Sequence, residues 1–167
     1  AAAAKLLLGR IHLAAGNAAA AAAIARRLID SNGPVAALGL AGDAALQQGD
    51  LAGAEAVFVR YQGRQPQSRA PLLGLALVHQ RRGNPASASA YAVRCLTMTG
   101  DAPIHLLRDL RDFFALTGDR NHLAATNEQL RARFAGEMAA MAAETGGGVE
   151  ERRREGGTQR GRDAGTQ

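Results

Sequence analysis

One pair of carboxylates in this sequence, Asp109 and Asp112, has a spacing that suits acid–base chemistry. Three residues apart on a helix, the two side chains share a face and could act as general acid and general base. Arg108 and Arg111 alternate with them, which favours an ion-paired surface open to water. A general acid needs a drier setting, because burial is what raises a carboxyl pKa toward neutrality. We therefore expect no catalytic residues and no enzymatic activity in this chain.

Histidine and cysteine, the common metal ligands and nucleophiles, are sparse as well. His12 and His79 occupy equivalent positions of a repeated pattern, so we interpret both as packing residues. His105 and His122 have no cysteine or carboxylate at a spacing typical of metal ligands. Cys95 stands alone, which excludes an internal disulfide and favours an inert buried thiol. No phosphate loop or nucleotide fingerprint is present either, so neither a metal ion nor a cofactor is expected.

The charge pattern gives little support to a polyanion ligand. The net charge is +5, but arginines are scattered, and the run Arg152–Arg154 lies between Glu150, Glu151 and Glu155. A nucleic-acid surface usually gathers its basic residues on one face, so no specific nucleic acid is expected as a partner. No apolar run approaches about 20 residues, the length that a transmembrane helix needs. A cytoplasmic location is favoured over a periplasmic one, which would need a signal peptide upstream of Ala1.

These residues belong to a repeated pattern that occurs four times in the sequence. Each copy ends in glycine followed by asparagine or aspartate, at intervals of 33, 34 and 35 residues. Glycine accepts the left-handed backbone that closes a helix, and asparagine or aspartate caps the next one. A period of this length indicates a repeat architecture. The four turns are Gly16-Asn17, Gly49-Asp50, Gly83-Asn84 and Gly118-Asp119.

Apolar and small residues recur at helical spacing on both sides of these turns. Before each turn, the apolar residues form a stripe along one face of the predicted helix. In three copies the middle of this stripe is a small residue: Gly9, Gly42 and Ala76. Such residues let a second helix cross closely, and no alternating strand pattern appears. The sequence predicts first helices near residues 2–15, 35–48, 70–82 and 104–117, and second helices near 18–31, 51–63, 85–98 and 120–144.

This arrangement resembles the tetratricopeptide repeat in its small residues at both helix crossings, its Gly-Asp/Asn turns and its prolines near the unit ends. The resemblance, to bacterial-type members, implies an all-α solenoid over residues 1–145, with units of about 2–34, 35–68, 69–102 and 103–134. The fourth unit departs from the pattern, because Arg111 and Leu123 replace the small pair. The alternative is an irregular bundle rich in alanine and leucine whose turns recur by chance.

The resemblance also implies a protein-interaction scaffold, in which first helices line a concave groove that binds a peptide or helix of a partner. The basic and polar cluster with which some family members bind chaperone carboxylates is absent, since Leu6, Gly39, Leu73 and Leu77 stand in its place. The expected groove is mostly apolar, although several of its leucines could pack between units instead. Transferred by position, the groove residues are Leu6, Arg10, Leu13, Asp43, Leu46, Gln47, Leu73, Leu77, Gln80, Arg81, His105, Arg108 and Asp112.

The helical pattern continues after the fourth turn and places Phe134, Met138 and Met141 on one face. A terminal cap over the last repeat is favoured for this face, and a surface for a partner or for self-association is the alternative. Residues 146–167 are rich in glycine and mixed charge and are expected to form a disordered tail.

Two further functions stay open at this stage. The chain, which begins with alanine, could be a fragment of a larger enzyme or export-system protein and serve there as a regulatory or substrate-docking segment. RNA binding through the arginines and the tail is the weaker alternative.

Overall fold

The computed structural model describes the backbone of residues 1–158 and the side chains of residues 1–143. Within that range the chain forms helices and turns without strands, which confirms the all-α prediction. The first seven helices begin and end within one residue of their predicted bounds, whereas the eighth continues past residue 144. The helices are α1 (Ala2–Ala14), α2 (Ala18–Asp30), α3 (Ala36–Gln48), α4 (Leu51–Arg64), α5 (Ala70–Arg81), α6 (Pro85–Thr97), α7 (Ile104–Thr117) and α8 (Arg120–Thr158).

The four predicted turns share one geometry. Their glycines have positive φ angles of 78°, 79°, 72° and 75°. The amide of the asparagine or aspartate that follows donates to the carbonyl five residues back, which closes the first helix of each unit. The side chain of that same residue accepts a hydrogen bond from the amide three residues on, at 2.9 to 3.3 Å. This repetition confirms a solenoid of four helix-turn-helix units rather than an irregular bundle.

The apolar core follows the chain from one unit to the next. Consecutive helices pack against each other, and α3 also contacts α1 and α5. One buried cluster joins α2 to α3, a second joins α3, α4 and α5, and a third extends from α5 to α8. Each cluster takes side chains from neighbouring units, because a single helix pair cannot cover its own apolar face.

Phe58 of α4 fits closely between the second and third units. Its ring lies against Gly42 of α3 and Gly74 of α5, and a Cβ atom added at either glycine would come within 2.5 Å of a ring carbon. Only glycine leaves this space at both positions. The ring is 2% exposed, so the two glycines make room for the largest fully buried side chain of the second unit.

Two hydrogen bonds at equivalent positions connect successive first helices. Gln47 Nε2 donates to the Leu13 carbonyl at 3.1 Å, and Arg81 Nη1 donates to the Leu46 carbonyl. Each donor stands two residues before the turn glycine of its unit, and each acceptor stands three residues before the preceding turn glycine. Leu116 occupies the donor position in the fourth unit and has no N–H or O–H on its side chain. These two hydrogen bonds, the side-chain ties, therefore join unit one to unit two and unit two to unit three. Leu116 cannot form the equivalent tie between unit three and unit four.

Arg69, the residue before α5, holds the connection between α6 and α7. Its Nε donates to the Cys95 carbonyl at 3.1 Å and its Nη1 to the Asp101 carbonyl at 3.2 Å, while Nη2 donates to Met98 and Gly100. A cation suits this place because the carbonyls at a helix C-terminus carry partial negative charge. Nothing in the repeat pattern predicted the role of Arg69.

Cys95 is fully buried, as the sequence predicted, with its Sγ 3.5 Å from the Arg69 carbonyl oxygen. Burial raises the pKa of this thiol to about 12, and the nearby Arg69 charge offsets only part of that rise. Because the thiolate is the reactive form, we expect the native protein at pH 8 to resist a thiol-specific disulfide reagent, and the protein in 6 M guanidinium to react fully. Fast reaction without denaturant would contradict the buried position of Cys95.

The first part of α8 packs on α7 as a cap, whereas the prediction favoured a cap for the face of Phe134, Met138 and Met141, which is exposed. Leu130 is buried in the cluster shared with α7, and Thr126 is buried beside it. Farther along, Phe134 is 42% exposed and Met138 is 65% exposed, so the predicted face lies beyond the cap. The tail predicted at residues 146–167 lies outside the described side chains, and residues 159–167 lie outside the described chain altogether. No helix in the described part is long and apolar enough to cross a membrane.

Candidate functional site

The first helices of all four units line one cavity of about 730 Å³, to which α4 adds Tyr61. Its volume is in the range of small-ligand pockets, roughly 300–1,000 Å³. Apolar side chains form most of its floor, and polar ones stand around them. The lining residues are Arg10, Ala36, Gly39, Asp43, Tyr61, Ala70, Leu73, Gly74, Leu77, Gln80, His105, Leu106, Asp109, Asp112, Phe113 and Leu116.

About half of the residues that the sequence placed in the groove do line this cavity. They come from all four first helices, which follows from the repeated register: equivalent positions on stacked helices face the same side. These residues are Arg10, Asp43, Leu73, Leu77, Gln80, His105 and Asp112.

Three leucines of the predicted groove pack between helices instead. Leu46 is 5% exposed and belongs to the cluster around Phe58, so its expected place in the groove is wrong. Leu6 and Leu13 pack against the cluster joining α2 to α3 and do not line the cavity. The alternative that some leucines fill the space between units is correct for these three residues.

Three polar residues of the predicted groove also have other contacts. Gln47 and Arg81 donate to carbonyls of the preceding unit, as described above. The guanidinium carbon of Arg108 lies 5.6 Å from the centre of the Phe134 ring, a cation–π distance that connects α7 to the distal part of α8. None of the three lines the cavity.

Sequence reasoning missed several lining residues, among them Gly74, Tyr61, Asp109 and Leu116, and noted Gly39 only as a groove position without a clamp side chain. Gly39 stands where the third unit has Leu73, and the absence of a side chain there leaves space beside the Tyr61 ring. The glycine at position 39 could have indicated this open space from the sequence. Tyr61 could not be predicted, because it belongs to a second helix and the groove residues were transferred from first helices only. Leu116 was missed although it is 75% exposed at the cavity edge.

Asp43 has the most strongly altered acidity of the cavity residues. Loss of hydration raises its pKa to about 6; the positive charge of Arg10 lowers it and the carboxylate of Asp109 raises it further. Asp43 is nevertheless exposed to water, because the concave wall of the cavity removes much of its hydration shell without enclosing the carboxyl group. Asp43 can therefore change its protonation near neutral pH.

Asp109 corrects the prediction of a fully solvated ion-pair surface on α7. Its pKa is raised, first by desolvation and also by Asp112, while His105 lowers it. Asp112 does form the predicted kind of pair, since its Oδ1 lies 2.8 Å from Arg111 Nη2. Asp112 thus fits the prediction, whereas Asp109 is exposed as predicted but lines the cavity without an ion pair among the described residues.

The histidines outside the cavity make packing and pairing contacts. His79 stacks on Tyr91 with ring centres 5.4 Å apart, and its Nε2 lies 3.6 Å from Glu55 Oε1. His122 Nδ1 lies 2.7 Å from Asp119 Oδ2, a contact that lowers the pKa of Asp119. Among residues 1–143, no three histidine, cysteine or acidic side chains come together as metal ligands would.

The cavity thus offers an apolar floor for side chains and carboxylates for a cation or for proton exchange. Comparison with known proteins adds no assignment to this geometry, because no protein-family model matches the chain and a search of curated proteins found no match.

Proposed function

We propose that this protein is a tetratricopeptide-like scaffold that binds a segment of a partner protein in the cavity between its first helices. The observation that carries the proposal is the cavity itself, to which every unit contributes from its first helix. Repeat arrays use such shared concave surfaces for ligands, because no single unit is large enough to enclose one.

The chemistry of the lining supports a protein segment as the ligand. Leu73, Leu77, Phe113 and Leu116 offer apolar contacts to side chains, and Gln80 offers an amide to a backbone. Peptide recognition commonly combines pockets for side chains with a few polar contacts that fix direction. The role of Phe134, Met138 and Met141 as a surface for self-association stays a separate prediction.

Selection followed by photo-crosslinking tests the proposal on the full 167-residue chain. A library of random peptides displayed on phage would be selected against the wild type. The selected peptides would then be crosslinked to Leu116→p-benzoylphenylalanine. The matched control is Val59→p-benzoylphenylalanine, because Val59 is also exposed, at 53%, and does not line the cavity.

We expect the selected peptides to crosslink at position 116 and not at position 59, since only position 116 borders the cavity. Equal crosslinking at both positions, or crosslinking at position 59 alone, would show that the ligands bind elsewhere and would contradict the proposal. Circular dichroism of both variants would verify that each keeps its helices.

A further inference from the structure

The cavity has a charge opposite to that of the whole chain. The protein carries a net charge of +5. The cavity nevertheless holds three carboxylates, Asp43, Asp109 and Asp112, against the guanidinium of Arg10 and the imidazole of His105. The acidic character of this surface is therefore local, and it differs from what the composition alone would give.

Two of these carboxylates lack a strong partner inside the protein. Asp112 is paired with Arg111, but neither Asp43 nor Asp109 has a cationic nitrogen within 4 Å among the described residues. Both are exposed on the cavity wall, where partial loss of hydration and a neighbouring carboxylate raise their pKa values. A cation placed between α3 and α7 would relieve both costs, because it would supply the missing opposite charge.

Apolar surface borders these carboxylates on the cavity floor. Leu73 and Leu77 come from α5, and Phe113 and Leu116 come from the same helix as Asp109. A volume of about 730 Å³ admits a few side chains rather than a whole folded element. The ligand must therefore bring a positive charge and apolar groups close together.

We infer that the cavity binds a short protein segment in which one arginine or lysine is flanked by apolar side chains, with the cation facing Asp43 and Asp109. This inference rests on the proposed function and adds the chemistry of the ligand. The apolar neighbours of the cation pack on Leu73, Leu77 and Phe113.

The charged groups around Asp43 also predict how the affinity for this segment changes with pH. The groups that face Asp43 are Arg10 from α1 and Asp109, His105 and Asp112 from α7, with uncharged Tyr61 and Gln80 from α4 and α5. Acidification from pH 7.5 to pH 5 protonates Asp43, whose pKa is about 6, and removes its attraction for a cation. Binding must therefore weaken as the pH falls.

The peptides that crosslink at position 116 provide the test. Each would be synthesised with arginine at its cationic position and, as a matched control, with citrulline, which keeps a similar shape without the charge. Affinities would be measured by isothermal titration with the full chain and with Asp43→Asn/Asp109→Asn. Asp30→Asn, on the exposed end of α2, is the control for loss of an acidic residue outside the cavity.

We expect citrulline to weaken binding to the wild type about tenfold at pH 7.5, the size of a lost charge-assisted hydrogen bond. The difference should shrink at pH 5 and disappear in Asp43→Asn/Asp109→Asn, but persist in Asp30→Asn. If crosslinking peptides lack arginine and lysine, or bind equally well with citrulline, this inference fails while the proposed function stands. If no peptide crosslinks at position 116, the proposed function fails and the inference fails with it.

Discussion

Gly42→Leu is expected to lower the free energy of unfolding by about 3 kcal/mol, at the upper end of the usual cost of overfilling a core. A Cβ atom at this position would already come within 2.5 Å of the Phe58 ring, and the rest of a leucine side chain has no space between α3 and α4. The ring cannot move toward α5, because Gly74 lies as close to it on that side. Urea unfolding followed by circular dichroism at 222 nm measures the change.

Two variants make this prediction specific. Gly63→Leu, on the same helix as Phe58, meets nothing within 4 Å and should be neutral or slightly stabilising, since leucine favours a helix more than glycine does. Adding Phe58→Ala to Gly42→Leu should recover part of the lost stability relative to the sum of the single changes. Strictly additive losses would show that the ring and Gly42 are not in contact.

Arg69→Ala is expected to cost about 2–3 kcal/mol of unfolding free energy. The change removes hydrogen bonds to Cys95, Met98, Gly100 and Asp101, and charge-assisted hydrogen bonds are the stronger kind. Water can reach part of the loop and replace some of these contacts, which keeps the cost below their sum. Thermal or urea unfolding measures the global effect, and amide hydrogen exchange of residues 98–102 measures the local one.

Arg69→Lys separates the charge from the shape of the side chain. Lysine keeps the charge but lacks the planar fork that reaches several carbonyls at once, so it should restore less than half of the loss. Arg26→Ala, an exposed arginine on α2, is the control and should change stability by no more than a few tenths of a kcal/mol. Equal stability of the Arg69→Ala and Arg26→Ala proteins would contradict the role of Arg69 in holding the connection between α6 and α7.

The helices and turns of this protein could be predicted because their signals are local. Gly49 and Asp50 close one helix and start the next through atoms within five residues of each other, so a short stretch of sequence contains the whole cause. Arg69 could not be predicted in this way. Its partners are backbone carbonyls 26 or more residues away, and every residue type carries such a carbonyl.

The candidate site was only half predictable for a related reason. The register indicated which side of each first helix faces the groove, which was enough for Arg10, Asp43 and Gln80. It could not show that Leu46 is drawn into the core by Phe58, because that depends on the size of a side chain on another helix. The raised pKa of Asp109 likewise depends on its position in the cavity wall, which neighbouring residues in the sequence do not reveal.

The side-chain ties between successive first helices have a mechanical consequence. Gln47 and Arg81 make the joints between units one, two and three resistant to sliding, because a shift of α1, α3 or α5 past its neighbour would break a hydrogen bond. Leu116 leaves the joint between α5 and α7 without this restraint. Sliding is therefore restrained by a side-chain hydrogen bond at the first two joints between units, whereas the third joint, where Leu116 stands beside the cavity, lacks that restraint.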